Sequence, residues 1–248
     1  MVTVLKLGGS VITEKEHPEI LATERVDQIA DRLQSSMTDR LILILGGGSF
    51  GHPAADRHGL SVELGTHDAR AIADVHGAML RLVDHVIERL VEREIPAVAF
   101  HPMSMGVRDG DTLTLSHDGV QAAFEEGFIP TLHGDGIVTV DDGVTILSGD
   151  TLVADLAHQF DADRVGLCSR VPGVLDEEGK VIDRIEHFSS VSSVVGESDA
   201  TDVTGGMAGK VETLLDLGIP ASVFDLDSLG DFLEGAQPGT TIDGSRVN

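Results

Sequence analysis

The stretch LILILGGGSFGHP, Leu41 to Pro53, limits what this chain can fold into more than any other. Five consecutive aliphatic residues closed by glycine read as an interior parallel strand, buried on both faces and so lacking the alternation of a half-exposed strand. A strand of that kind needs a covering layer on each side, which calls for an α/β architecture. The glycine run at its C-terminal end bares backbone amides to close approach. His52 then sets an imidazole four positions beyond the last of the three glycines.

The rest of the chain alternates in the same sense. Val2 to Leu7 reads as a first strand and Thr23 to Gln34 as an amphipathic helix that delivers the chain to Leu41, a parallel βαβ unit. A long helical pattern runs from Thr66 to Arg93, with Ile72, Val75, Met79, Val83, Val86 and Leu90 on one apolar face. Further strands are expected at Ala97 to Phe100, Ile129 to Leu132, Arg164 to Leu167 and Ala221 to Phe224. Helices are expected at Asp118 to Glu126, Asp150 to Phe160 and Gly209 to Leu217. Asp111 to Ser116 alternates like an exposed hairpin arm. Gly136 to Val140 and Val144 to Leu147 form a hairpin through Asp141, Asp142 and Gly143, and Val174 to Val181 forms another that turns at Gly179. The class is α/β, with a mainly parallel central sheet and peripheral β-hairpins. A lobe boundary is expected after Leu147, dividing 1–147 from 148–248, with one continuous sheet shared by both lobes.

Charge narrows the partners. Lys and Arg total 17 against 42 Asp and Glu, a formal net charge of -25 that argues against nucleic acid or an anionic membrane as partner. The acids are spread over every segment, including Asp118, Asp141 and Asp142, and resemble the solvated surface of a halophile's protein. A single cysteine, Cys168, rules out an internal disulfide and fits a reducing compartment. No apolar stretch approaches about 18 residues and no signal-peptide pattern opens the chain, so a soluble cytoplasmic protein is expected.

Only four lysines occur, and three lie in or beside glycine-rich segments: Lys6 in KLGGS, Lys15 in VITEKE and Lys210 in TGGMAGK. Bare amides at strand ends and helix starts form anion nests, and a lysine beside them supplies the compact charge suited to phosphate. Neither a Walker A nor a Rossmann fingerprint is present. Taken together, KLGGS at the N-terminus, LGGGSFGH at the second strand, SGD before a helix and TDVTGGMAGK before a late helix resemble the amino acid kinase family over nearly the whole chain. Within it, His52 directly after GGGSFG, with Lys15 in the loop after KLGGS, is similar to the kinases of isopentenyl phosphate.

The resemblance implies a three-layer sandwich, a homodimer through the long helix, and ATP-dependent phosphorylation of isopentenyl phosphate to the diphosphate. It also implies roles. Lys6, Gly8, Gly9 and Ser10 hold the ATP phosphates, with Gly48, Gly206 and Lys210 on the nucleotide side. Gly47, His52 and Gly149 hold the acceptor phosphate, Asp150 orients the lysines, and Lys15 stabilises the transferring phosphoryl group. The first lobe then binds the acceptor and the second ATP. A phosphate monoester has a second pKa of about 6, so it is already ionised, and His52 binds and orients it instead of deprotonating it. Ile72, Val75 and Met79 are candidates to line a pocket for a short isoprenoid tail, although a helical apolar stripe is more often ordinary core.

One segment departs from the family pattern: Ser169, Arg170 and Pro172 in CSRVPGV stand where an acidic nucleotide contact is usual, and Arg170 is read as a contact to a nucleotide phosphate. The eleven histidines suggest no ligand set, since His67, His76 and His85 recur every nine residues and would point to opposite helix faces. Mg2+ is expected through the ATP phosphates, with few or no direct protein ligands and none singled out. Two other readings stay open: a kinase of another phosphate or phosphonate such as fosfomycin, and a nucleotide- or oxyanion-binding protein without catalysis.

Overall fold

The computed structural model describes residues 1–36, 40–191 and 206–244. The strands are β1 (Thr3–Leu7), β2 (Leu41–Leu45), β3 (Ala97–Ala99), β4 (Gly106–Asp109), β5 (Thr112–Leu115), β6 (Ile129–His133), β7 (Asp135–Thr139), β8 (Gly143–Leu147), β9 (Arg164–Ser169), β10 (Arg184–Ile185), β11 (Ala221–Asp225) and β12 (Thr240–Ile242). The helices are α1 (Gly9–Ile12), α2 (Thr23–Ser36), α3 (Gly48–His58), α4 (Ala69–Val91), α5 (Asp118–Glu125), α6 (Gly149–Gln159), α7 (Gly206–Asp216) and α8 (Leu229–Leu233).

Eight strands form the central sheet in the order β10-β12-β11-β9-β1-β2-β6-β3. Every neighbouring pair is parallel except β11 with β12. A second sheet, β5-β4-β7-β8, is built mainly from hairpins. Because successive strand side chains point to opposite faces, β1 and β2 feed two cores at once. Leu5, Leu7, Leu41, Leu43 and Leu45 pack against α2, α3, α4 and α8. Val4, Ile42 and Ile44 pack against α5, α6 and α7 on the other side. The result is a three-layer α/β sandwich.

The same alternation positions the chemistry. Lys6 shares its face of β1 with Val4, so its side chain points at the layer that contains α6. β1, β2 and β9 run in register, with Leu7 opposite both Leu45 and Cys168, so the loops that follow them emerge at one edge of the sheet.

The sequence reading does not include α1, α3, α8, β4, β10 or β12, and the hairpin it expects between Val174 and Val181 is reduced. α3 begins at Gly48, inside the glycine run, and continues through Pro53. Proline has no N–H to donate to the carbonyl four residues back. The carbonyl of Ser49 accepts the backbone N–H of Glu19 instead, at 3.0 Å. Between Val174 and Val181, only the bridge from Leu175 to Val181 forms, closed by a turn with Gly179 at φ +78.

Candidate active site

The edge where β1, β2 and β9 end opens on a cavity of about 530 Å³. Lys6, Gly8, Gly9, Ser10 and Lys15 line it from the first βα connection, and Gly47, Gly48 and His52 from the second. Gly149, Asp150 and Lys210 close it from α6 and α7. Three lysines, the outermost of them 204 positions apart, thus face one space. Lys15 is exposed in the loop, whereas His52 is half-buried in the first turns of α3.

Lys6 and Asp150 form the fixed centre. Lys6 Nζ donates to Asp150 Oδ1 at 2.6 Å, and both side chains are about nine-tenths buried. Asp150 sits in the first turn of α6, where the helix dipole favours a carboxylate, and Ser148 caps that helix by accepting the N–H of Thr151 at 3.0 Å. The second oxygen, Asp150 Oδ2, is buried without a hydrogen-bond partner, as is Ser49 Oγ. Buried polar atoms are normally satisfied. Two orphans in the wall of one cavity mark the place where a polar ligand belongs.

The glycines do more than admit a ligand. A Cβ on Gly9 would lie 2.1 Å from the Gly48 nitrogen, and one on Gly46 would lie 2.5 Å from the Gly9 nitrogen. The two glycine segments therefore pack backbone on backbone, a proximity the sequence reading did not anticipate. Thr13 staples them: its Oγ1 donates to Gly9 O at 2.8 Å and accepts the Ser49 N–H at 2.9 Å. Thr13 is fully buried and lines the cavity, as do Gly46, Ser49 and Ser169. No motif signals Thr13, since a lone threonine in a loop carries no pattern.

The Lys15 loop is held at both ends. Thr13 and Leu21 form an antiparallel bridge, and Glu14 N–H donates to Ile20 O at 2.9 Å. Glu19, at φ +56, takes a bidentate contact from Arg81 on α4 at 2.7 and 2.8 Å. The Arg81 hydrogen bond holds the Glu19 carboxyl below its ordinary range.

Behind His52 lies a smaller space of about 50 Å³. Val75 and Met79 of α4 line it with Ala55, Ile146 and the Gly134–Asp135 turn, while Ile72 does not. Arg170 is exposed after the end of β9 and lies outside the wall of the large cavity, although its neighbour Ser169 belongs to it. Gly206 begins the helix that carries Lys210, and residues 201–205 of the TDVTGGMAGK segment lie outside the described residues. Among the described residues no three metal-ligating side chains cluster, and no helix is long and apolar enough to cross a membrane.

Residues 1–224 match the model of the amino acid kinase family. The isopentenyl phosphate kinase of Haloferax volcanii is 48% identical over 97% of this chain and 98% of its own length. That of Methanocaldococcus jannaschii is 30% identical over 99% of this chain and 100% of its own. Among solved structures, an isopentenyl phosphate kinase at 24% identity superposes with a TM-score of 0.83, covering 98% of this chain and all of that one.

Proposed function

Since the chain belongs to the amino acid kinase family, we propose that it transfers the terminal phosphoryl group of ATP to isopentenyl phosphate, forming isopentenyl diphosphate. The observation that carries this reading is the pairing of a lysine-lined, glycine-floored cavity with a small apolar space directly behind His52. Such a site suits a phosphate with a short hydrocarbon tail.

Phosphoryl transfer passes through a loose transition state with charge on the equatorial oxygens, so positioned cations and amides supply most of the catalysis. Lys6, Gly8, Gly9 and Ser10 bind the nucleotide phosphates, with Gly48, Gly206 and Lys210 beside them and Arg170 at the outer rim. Gly47, His52 and Gly149 bind the acceptor phosphate. His52 donates a hydrogen bond and removes no proton, because the monoester oxygen is already ionised near neutral pH. Asp150 holds Lys6 in line, and Lys15 reaches from its loop to the migrating group. The division places most of the acceptor on residues 1–147 and the body of ATP on 148–248, with the transferring phosphates held by both.

Magnesium enters with the nucleotide. The orphaned Asp150 Oδ2 fits a hydrated Mg2+ on the phosphates, and no protein cage for the bare ion is present among the described residues. When bound, the ion neutralises phosphate charge. The reading extends to a salt-rich cytoplasm, which the acidic composition supports, and to a homodimer through α4, which light scattering in molar KCl checks.

The test is the initial rate of ADP formation with Mg-ATP at molar KCl. Isopentenyl phosphate, dimethylallyl phosphate, fosfomycin and no acceptor are compared in wild type and His52→Ala. Rates on the two isoprenoid monophosphates that collapse in the variant are expected. Preference for fosfomycin would reassign the acceptor, and background rates in protein that binds ATP would leave a binding protein.

A further inference from the structure

A buried polar chain lies beside the small cavity, outside the phosphate site. His133, the last residue of β6, is fully buried, and its Nδ1 lies 2.9 Å from Gly134 O. A carbonyl only accepts, so Nδ1 carries the proton. Burial pushes the His133 imidazole below its usual range, so the ring is neutral and its Nε2 is an acceptor. His101 Nδ1, 2.9 Å away, donates to it. Next along the turn, the Asp135 side chain has no exposure at all. Its Oδ1 accepts the Gly136 N–H at 2.8 Å, and both oxygens accept His76 Nδ1 of α4 at 3.0 and 2.9 Å.

A buried carboxylate is costly unless it is paired and hydrogen-bonded. Here its side-chain partner comes from a different element, 59 positions away. Val75, adjacent to His76, lines the small cavity on the helix side, and Gly134 and Asp135 line it from the turn. The ion pair spans these two walls. None of the four polar residues lines the large cavity with Lys6 and Lys210.

We propose that Asp135 and His76 are positioning residues for the acceptor, fixing the gap between α4 and the Gly134–Asp135 turn and thereby the hold on the tail, while the nucleotide side is indifferent to them. This rests on the reading of the small cavity as the acceptor's. Loss of the pair then weakens acceptor binding selectively, a split that a general loss of stability would not produce.

The experiment compares Asp135→Asn, His76→Leu and His76→Asn with wild type, measuring KM for isopentenyl phosphate and for ATP, kcat, and direct binding of isopentenyl phosphate by calorimetry. Asn at 76 keeps a donor near the place of Nδ1 and serves as rescue. Expected is a rise of about tenfold or more in acceptor KM for His76→Leu and Asp135→Asn, with ATP KM within about twofold, and recovery to within about threefold in His76→Asn. Should Asp135→Asn not fold, the two His76 variants carry the comparison. Acceptor KM unchanged in a wild-type-active background, or both KM values rising together, overturns the inference alone. A wild type that neither binds nor phosphorylates isopentenyl phosphate overturns the proposed acceptor and the inference with it.

Discussion

Gly9 and Gly48 meet backbone to backbone, so close that a methyl group on Gly9 would fall 2.1 Å from the Gly48 nitrogen. Gly48 also holds φ at +48, a conformation L side chains rarely adopt. The loops after β1 and β2 form one floor because neither carries a side chain there. Gly9→Ala has to push that floor apart, an overpacking cost of about 1–3 kcal/mol. Expected is a lowered thermal midpoint with kcat/KM for ATP reduced by at least about tenfold. Circular dichroism melts and steady-state kinetics check it. Wild-type kinetics in the variant would mean the floor is not rigid.

Thr13 joins the same two segments through one hydroxyl. Thr13→Val keeps the shape and leaves the buried Ser49 N–H and Gly9 carbonyl short of that partner, whereas Thr13→Ser keeps the hydroxyl. The valine variant should lose about 1–3 kcal/mol in urea unfolding and the serine variant about 1 or less. A larger loss in the serine variant than in the valine variant would assign the effect to the methyl group.

The Glu19 to Arg81 contact connects the Lys15 loop to α4. Both side chains are more than a third exposed, so the pair contributes only about 0–1 kcal/mol to stability. Its effect is expected in catalysis. Glu19→Gln should lower kcat severalfold with little change in melting temperature, and Arg81→Gln should match it. A charge-swapped double variant that recovers the rate would confirm that the contact, and not either charge, matters. Unchanged kcat in both single variants would show that Lys15 finds its place unaided.

How stability depends on pH follows from two histidines that face the same carboxylate. The hydrogen bond that His76 donates to Asp135 raises the His76 pKa, so its contribution is complete below the ordinary imidazole value and is lost as pH climbs through the raised one. Burial lowers the His133 pKa against the pull of Asp135, and the nearby His101 and His76 lower it further. The folded state therefore resists protonation at His133, and stability falls as pH drops below the ordinary value of about 6.5. Thermal midpoints from about pH 5 to pH 9 should show a maximum near the imidazole range. His76→Asn removes the alkaline decline that comes from this ring and leaves the acid limb. Parallel curves for variant and wild type would contradict the assignment.

Much of the site is legible in the sequence, and the features that are not share a physical cause. The aliphatic run at Leu41 and the lysines beside glycines announce themselves locally, through composition and spacing, and the cavity gathers them. Helix α3 is hard to read from the sequence because a glycine run and Pro53 disfavour helix, and it is the Glu19 N–H that satisfies the Ser49 carbonyl the proline leaves without a donor. The nine-residue spacing of His67, His76 and His85 argued against a shared function on one helix. It said nothing of Asp135, which joins His76 from another element. Pairings made by the fold leave no trace in spacing.

Three of the chain's four lysines face one cavity, and the fourth, Lys180, stands with its side chain 74% exposed on the distant turn. Amine chemistry on this protein is therefore almost a titration of its own floor. An acylating reagent counted by mass spectrometry reports occupancy at Lys6, Lys15 and Lys210, with Lys180 as the built-in reference for reagent access. So small a background follows from a chain that carries its charge mostly as carboxylates and arginines.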